Sequence, residues 1–403
     1  MLHCADMKIL AIETSCDETS LAILELRGAV TSPTITRLAH TTASQIELHA
    51  HYGGVFPALA KREHAKAFTP LLETTLRTAK LFKKGSASIS KKTMEKIKIE
   101  LTREPELFSS LENLFLHSNR PQLDAIAVTT GPGLEPALWV GINAAKALAL
   151  AWGIPVIPVN HMEGHVLSVL IQQTKKQQKT FKTERLTFPV LSLLVSGGHT
   201  ELVLMRDWMK YKKIGATRDD AVGEAFDKVA RMLDLPYPGG PKISALAHEY
   251  RTQQKEHQEK NFSLPRPMLT SKDFDFSFSG LKTAVLYLLR SIEDKNDLIK
   301  KQIAHEFETA AIEVLVHKTT RALMHYKCKT LVVGGGVAAN TYLKNTLTSH
   351  IKEKFPKIRI YFPERELATD NAFMIGIVGG ITFLKKKKGV SLKKLRAQGT
   401  LSL

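Results

Sequence analysis

Cysteine is scarce in this 403-residue chain: Cys4, Cys16 and Cys328 stand far apart and form no CxxC pair. That excludes a disulfide framework and a cysteine-ligated zinc site, and it fits a reducing compartment. Long hydrophobic runs are also missing. No stretch reaches the ~20 apolar residues of a membrane-spanning helix, and the first residues lack a basic region followed by an apolar run. The expectation is a soluble, cytoplasmic protein with no membrane partner. Acid is in deficit too: 39 Asp and Glu face 57 Lys and Arg, for a net charge of +18. Such an excess draws polyanions, with nucleic acid ahead of acidic membranes, through phosphate contacts and counterion release. The excess is uneven. Residues 80–98 carry seven lysines, 175–185 five basic residues, and 385–396 seven with no acid. A solvated surface explains any one such run; three together favour RNA or DNA.

With 43% apolar and 24% charged residues, the chain is ordinary globular material, long enough for two domains. Residues 8–12 and 19–24 read as strands joined by a polar turn. Residues 189–195 and 201–205 repeat that pattern around the glycine turn Ser196-Gly197-Gly198-His199-Thr200, which hints at duplicated α/β lobes with a ligand crevice between them. Residues 124–130 read as a strand, 134–152 as a helix ended by Gly153 and Pro155, and 155–159 as a strand leading into a histidine-bearing helix. Further helices are expected at 220–233, 302–326 and 370–384. The last has a small-residue face suited to tight packing between lobes and equally to ordinary core. Residues 82–120, rich in Lys, Ser and Glu, read as an insertion with one or two amphipathic helices.

His161-Met162-Glu163-Gly164-His165 places two imidazoles at i and i+4, on one helical face. Asp370, in Thr369-Asp370-Asn371, is able to complete a two-histidine, one-carboxylate set with open positions, the pattern of reactive metals. A half-buried, hydrogen-bonded pair fits the same two histidines. Ser196-Gly197-Gly198 follows a strand, so its backbone N–H groups can face an anion with no Cβ in the way; a plain hairpin turn fits as well. Gly334-Gly335-Gly336-Val337-Ala338-Ala339-Asn340 runs from strand to helix and offers bare backbone to a base or ribose. It is neither GxGxxG nor GxxxxGK[ST]. Residues 219–228 hold four carboxylates at a helix start, where Asp219 or Asp220 suits a cap. Asp227, deeper in the helix, suits a ribose or an ion pair, with the turn Tyr237-Pro238-Gly239-Gly240-Pro241 close by. Residues 274–280 combine three aromatics with serines able to cap the next helix.

In these motifs, together with residues 12–19, 49–56 and 131–134, the chain resembles the tRNA adenosine threonylcarbamoyltransferases, called TsaD or Gcp and formerly described as O-sialoglycoprotein endopeptidases. The likeness runs from about residue 8 to 384, broken by 82–120. It implies the α/β, two-lobed, duplicated fold of actin, heat-shock 70 and sugar kinases (the ASKHA fold), with a nucleotide cleft. The lobes would be 1–157 with 370–403, and 158–369. It implies transfer of threonylcarbamoyl from threonylcarbamoyl-AMP to N6 of adenosine 37 in tRNAs reading codons that begin with A. His161, His165 and Asp370 would bind one divalent metal per subunit, Fe(II) ahead of Zn(II). Leu194, Val195, Ser196, Gly197 and Gly198 would hold the acyl-adenylate, and Asp227, Gly240 and Asn340 its ribose and adenine. Asp17 and Glu18 would supply active-site electrostatics. The implied partners are the tRNA anticodon arm, an inactive paralogue of the same fold and a small P-loop ATPase.

Three rivals share these residues, one of them a non-catalytic scaffold of the same fold, which has no physical need for metal ligands such as His161, His165 and Asp370. A zinc peptidase of the H-E-x-x-H kind needs Glu directly after the first histidine, where Met162 stands. An ATP-hydrolysing kinase or chaperone of the same fold would use the nucleotide cleft, but has no need of the histidine pair.

Overall fold

The computed structural model describes residues 6–86, 88–173, 179–183, 186–253, 262–364 and 367–403. By contact the chain forms two units, Met1–Arg185 with Asp370–Leu403, and Leu186–Thr369. The first break therefore falls after residue 185, whereas the sequence suggested 157. The reason is local. The strand that ends at Asn160 pairs in the first sheet, and the histidine helix that follows it packs within the same unit.

In the first unit, β1 (Met7–Glu13), β2 (Glu18–Arg27) and β3 (Thr34–Ser44) form an antiparallel meander. Three helices follow: α1 (Ile46–Ala50), α2 (Pro57–Thr78) and then α3 (Lys91–Glu100) of the expected insertion. The insertion's second helix, α4 (Pro105–His117), is succeeded by β4 (Ala125–Gly131), α5 (Glu135–Trp152), β5 (Val156–Asn160) and α6 (His161–Ser168). A hairpin of β6 (Ile171–Gln173) and β7 (Thr180–Thr183) ends the run. Among the described residues the sheet order is β5-β4-β1-β2-β3-β7-β6, with β4 parallel to both β1 and β5. β4 is buried along its whole length, which is why its sequence, AIAVTTG, shows no alternation. α5 ends where the sequence predicts, on Gly153 in the left-handed region at φ 63°.

The second unit repeats the scheme. β8 (Val190–Val195), β9 (Thr200–Asp207) and β10 (Lys210–Ala216) form a meander. α7 (Val222–Met232), α8 (Gly239–Gln253), α9 (Ser279–Ser291) and α10 (Asp297–His325) follow. β11 (Thr330–Gly334), α11 (Thr341–Lys354) and β12 (Arg359–Tyr361) complete it. The order β12-β11-β8-β9-β10 matches β5-β4-β1-β2-β3 strand for strand, with the same parallel and antiparallel pairs. α10 starts five residues before the expected Gln302, because Asn296 caps it by accepting the Ile299 N–H.

The chain then returns to the first unit as α12 (Ala372–Lys386), capped by Asn371, so Asp370 lies just ahead of the helix and not in it. Its small-residue face packs on the sheet of its own unit, against β1, β2 and β4, as the core reading has it. A Cβ at Gly376 would meet chiefly the flexible tip of Leu24, with the Cβ of Ala11 next at 3.2 Å, whereas one at Gly379 would run into the Cβ of Ala127 in β4 at 2.3 Å. Leu24 can rotate and Ala127 cannot. Gly379→Ala is therefore expected to cost about 1–3 kcal/mol by overpacking and Gly376→Ala distinctly less, as urea unfolding of the two variants would measure.

Candidate metal centre and glycine turns

Within the first unit, α6 begins at His161 because the Asn160 side chain accepts the N–H groups of Met162 and Glu163. Both histidines are buried, with ring centroids 4.8 Å apart and planes at 88°. Their Nε2 atoms lie 3.2 Å (His161) and 3.1 Å (His165) from Oδ1 of Asp370. One ligand atom from each of the three residues falls within 4.8 Å of the others, so the side chains that the sequence singled out do converge.

Residues outside the expected set hold this triad in place. Glu13, fully buried at the end of β1, lies with Oε2 3.0 Å from His161 Nδ1 and accepts the Thr129 hydroxyl at 2.6 Å. Its Oε1 accepts the Ser15 N–H, and the Ser15 hydroxyl lies 3.2 Å from the same ring nitrogen. With Nδ1–H donating to Glu13, Nε2 of His161 faces Asp370, and a cation bound there would take the place of the Nε2 proton. Burial works against a charged His161, yet Asp370 and Glu13 outweigh it and hold its pKa well above the ordinary range. Burial likewise opposes an ionised Asp370, but the two histidines hold its pKa well below the usual carboxylate range. A glycine supports Ser15 from beneath: Gly133 sits at φ 153°, and a Cβ there would come 2.6 Å from the Ser15 carbonyl oxygen.

Asp17 is buried and Glu18 half-buried, in the same unit as the triad. The Glu18 carboxyl is pushed up to about 10, first by burial and then by the negative charges of Asp370 and Asp17. A glutamate in an unfolded chain ionises near ~4.3. Between those values the folded protein keeps a proton that the unfolded chain has lost, so this group's contribution to stability falls as pH rises through the window.

The second unit carries the glycine turns. Ser196 N–H donates to the His199 carbonyl and His199 N–H to Ser196 Oγ, closing the β8–β9 turn at 2.8 and 3.1 Å. The N–H groups of Gly197 and Gly198 have no hydrogen-bond partner among the described residues, and a Cβ on either glycine would meet nothing within 4 Å. Leu194 and Val195 are fully buried, so only their backbone is available. The α7 turn presses on this loop: Gly223 N–H donates to the Ser196 carbonyl, and a Cβ at Gly223 would crowd the same oxygen.

Asp227 and Asn340 are already engaged. Asp227 Oδ1 accepts the N–H groups of Gly239 and Gly240 at 2.7 and 3.3 Å, fixing the start of α8, while burial pushes its pKa up. Asn340 Oδ1 caps α11 by accepting the Leu343 N–H, and its amide donates to Ser244 Oγ and Glu308 Oε1, both at 2.8 Å. Beneath it, fully buried Glu308 accepts from Arg251 at 2.5 Å. The acids ahead of α7 do not cap that helix, whose N-cap is Ala221. Asp219 instead accepts from the backbone of Phe278 and Ser279 and from the hydroxyls of Ser277 and Ser279, so it performs the capping of α9 expected from the serines. Asp220 pairs with Lys228 and Lys282. Of the three basic runs, 175–185 lies mostly outside the described residues.

The chain matches the family described as TsaD: tRNA N6-adenosine threonylcarbamoyltransferase over residues 36–89 and 109–377. It is 40% identical over 384 residues to the tRNA N6-adenosine threonylcarbamoyltransferase of Anoxybacillus flavithermus, spanning 95% of this chain and 94% of that protein. It is also 40% identical over 375 residues to the Staphylococcus aureus (strain Newman) protein of the same name, spanning 93% and 91%. Among solved structures, full-length HypF in its phosphate- and nucleotide-bound form superposes with a TM-score of 0.52 at 12% identity. That superposition covers 95% of this chain and spans 56% of the HypF chain, a likeness of fold alone.

Two measurements follow from these contacts. In chelator-treated protein, Glu18→Gln is expected to flatten the fall of Tm between about pH 5 and 9, because the amide has no proton to lose; an unchanged slope would contradict the assignment. Arg251→Ala leaves Glu308 buried without its cation and is expected to cost about 3 kcal/mol, read by denaturant unfolding.

Proposed function

The chain belongs to the tRNA N6-adenosine threonylcarbamoyltransferase family, and from that premise we propose how its own residues carry the reaction. It transfers the threonylcarbamoyl group of threonylcarbamoyl-AMP to N6 of adenosine 37 of tRNAs reading codons that begin with A. Family membership favours neither the ATPase nor the peptidase reading. At finer grain we assign the ASKHA fold. The repeated strand order of the two units supports this, as does the fold likeness to HypF.

One divalent metal per subunit is assigned to His161, His165 and Asp370. The convergence of two imidazole Nε2 atoms and one carboxylate oxygen is the observation that carries this reading. A donor set of two nitrogens and one oxygen suits a borderline cation, Fe(II) first and Zn(II) second. Bound there, the metal would supply Lewis-acid chemistry. The chain's part is to orient the donors: Glu13 and Ser15 fix the His161 ring through Nδ1, and Thr129 fixes Glu13.

The acyl-adenylate is assigned to residues 194–198, where the uncommitted N–H groups of Gly197 and Gly198 suit an oxyanion. As the N6 amine attacks the carbamoyl carbon, a C–N bond forms, the C–O bond to phosphate breaks, AMP leaves and the amine's proton passes to water. Negative charge grows on the carbamoyl oxygen meanwhile, and preset backbone donors stabilise it without reorganising. Asp227 and Gly240 are assigned to the ribose, with Asp227 Oδ2 as the acceptor left over from capping α8. Asn340 is assigned to the shape of the adenine-side turn. Asp17 and Glu18 set the local charge.

The proposed partners are the tRNA anticodon arm, an inactive paralogue of the same fold and a small P-loop ATPase, acting in the cytoplasm. Of these, tRNA is the partner that the name of the family and of the relatives carries. Among the described residues no helix is long and apolar enough to cross a membrane.

Incubating the chain with tRNA, threonine, bicarbonate, ATP and an adenylate-forming partner is expected to yield threonylcarbamoyladenosine on nucleoside analysis; its absence with every partner active would sink the reading. Metal content tests the centre separately. His161→Ala and Asp370→Ala are expected to lose stoichiometric metal, and Glu13→Gln to weaken metal affinity about 10–100-fold. Undiminished metal in all three would refute the ligand set.

A further inference from the structure

Strands β8, β11 and β12 run parallel, so the glycine turns lie at one end of the second sheet and the strand starts at the other. At that far end Lys327, Lys329, Lys354 and Lys357 line a depression of 370 Å³ whose floor includes Met324 and Phe355. All four lysines are exposed, and among the described residues none forms an ion pair with a carboxylate. Met324 is 53% exposed, so the floor offers apolar surface to whatever the lysines attract.

The local field is positive. His317 and His350 have pKa values below the ordinary range, through burial first and then through nearby cations. Arg321, Lys318 and Lys354 act on His317, and Lys354 on His350, where Glu353 pulls the other way. Burial pushes the Cys328 thiol at the floor up to about 11, with Arg206 working against the rise. The negative end of a helix dipole explains a lysine such as Lys354, in the last turn of α11. It does not explain Lys329 and Lys357, which lie beyond the helix ends yet turn to the same depression.

We infer that this depression is a docking site for the sugar-phosphate backbone of the tRNA substrate, gripping it away from the reacting base. The inference rests on the transferase reading, which makes a long polyanion the partner at hand. The six residues of β8 separate this end of the sheet from the glycine turns by roughly 16–20 Å, so the lysines do not reach atoms held at those turns. Lysine binds phosphate as a point charge, and ribose faces suit the apolar floor. Such contacts carry no sequence information, so they strengthen binding of every tRNA alike.

The test is tRNA binding and turnover by the full chain with all four lysines changed to alanine, beside a variant with all four changed to arginine. The alanine variant is expected to bind tRNA about tenfold or more weaker near physiological salt. Its slope of log affinity against log salt should be shallower by about 3, from four lost phosphate contacts. Its KM for tRNA should rise while kcat at saturating tRNA stays put, and the arginine variant should bind like the parent. An alanine variant that unfolds cooperatively and keeps the parent's tRNA affinity and salt slope overturns the site, even where its binding to anionic vesicles falls. If the parent modifies tRNA while the variant's KM is unmoved, the docking site fails and the transferase reading stands. A parent that binds no tRNA overturns the transferase reading, and the docking site with it.

Discussion

A carboxylate with no exposure to solvent sits at the end of β1, and the geometry of the histidine pair hangs from it. An unpaired ion at the depth of Glu13 would cost several kcal/mol. Its charge is met by the Ser15 N–H, the Thr129 hydroxyl and the His161 ring. Burial and the nearby Asp370 push its pKa up, but His161 and Thr129 more than offset them and leave it below the ordinary value. Because the three partners come from the β1–β2 loop, β4 and α6, satisfying one buried charge locks three elements together. The His161 ring is thereby fixed before any cation arrives.

The two units share a strand order but use the same place in it differently. The turn after β1 is polar and works through side chains: Ser15 reaches His161, and Asp17 and Glu18 follow at once. The turn after β8 is glycine-rich and works through backbone, with two N–H groups that have no partner among the described residues and no Cβ in front of them. A duplicated scaffold thus presents side-chain donors suited to a cation on one unit and backbone donors suited to an anion on the other. That division follows from residue type alone, since a glycine turn has no side chain to ligate with.

How much of this was legible in the sequence follows from the same distinction. His161 and His165 announce themselves through helical spacing, and the glycine turns through composition. The repeated hairpins were readable because each strand is a short apolar run bounded by turn residues. Glu13 was not readable as a buried anchor, since a glutamate ending a strand looks like the first residue of a polar turn. Glu308 and Arg251 are 57 residues apart on two helices, and nothing local marks their pairing. Asp219 resembled a cap for the helix that follows it, yet it caps one that starts 60 residues later. The contiguous basic runs were visible, whereas the lysine-lined depression is assembled from segments on two helix ends and has no contiguous signal.

Asn340 shows why a residue at a candidate site need not face a ligand to govern it. Its amide uses both hydrogens on Ser244 and Glu308, and its oxygen caps α11, so one acceptor position is left. Through Glu308 it is tied to Arg251, whose guanidinium also lies 4.0 Å from the centre of the Tyr342 ring at the start of α11. The turn from Gly334 to Ala339 is therefore stretched between a strand and a helix start whose orientation is set by a buried ion pair. A substitution in that pair would move the turn and lower stability together. A loss of binding there reports on the scaffold unless stability is measured alongside it. At Gly197 and Gly198 the N–H groups have no partner among the described residues, so binding and stability can be varied apart.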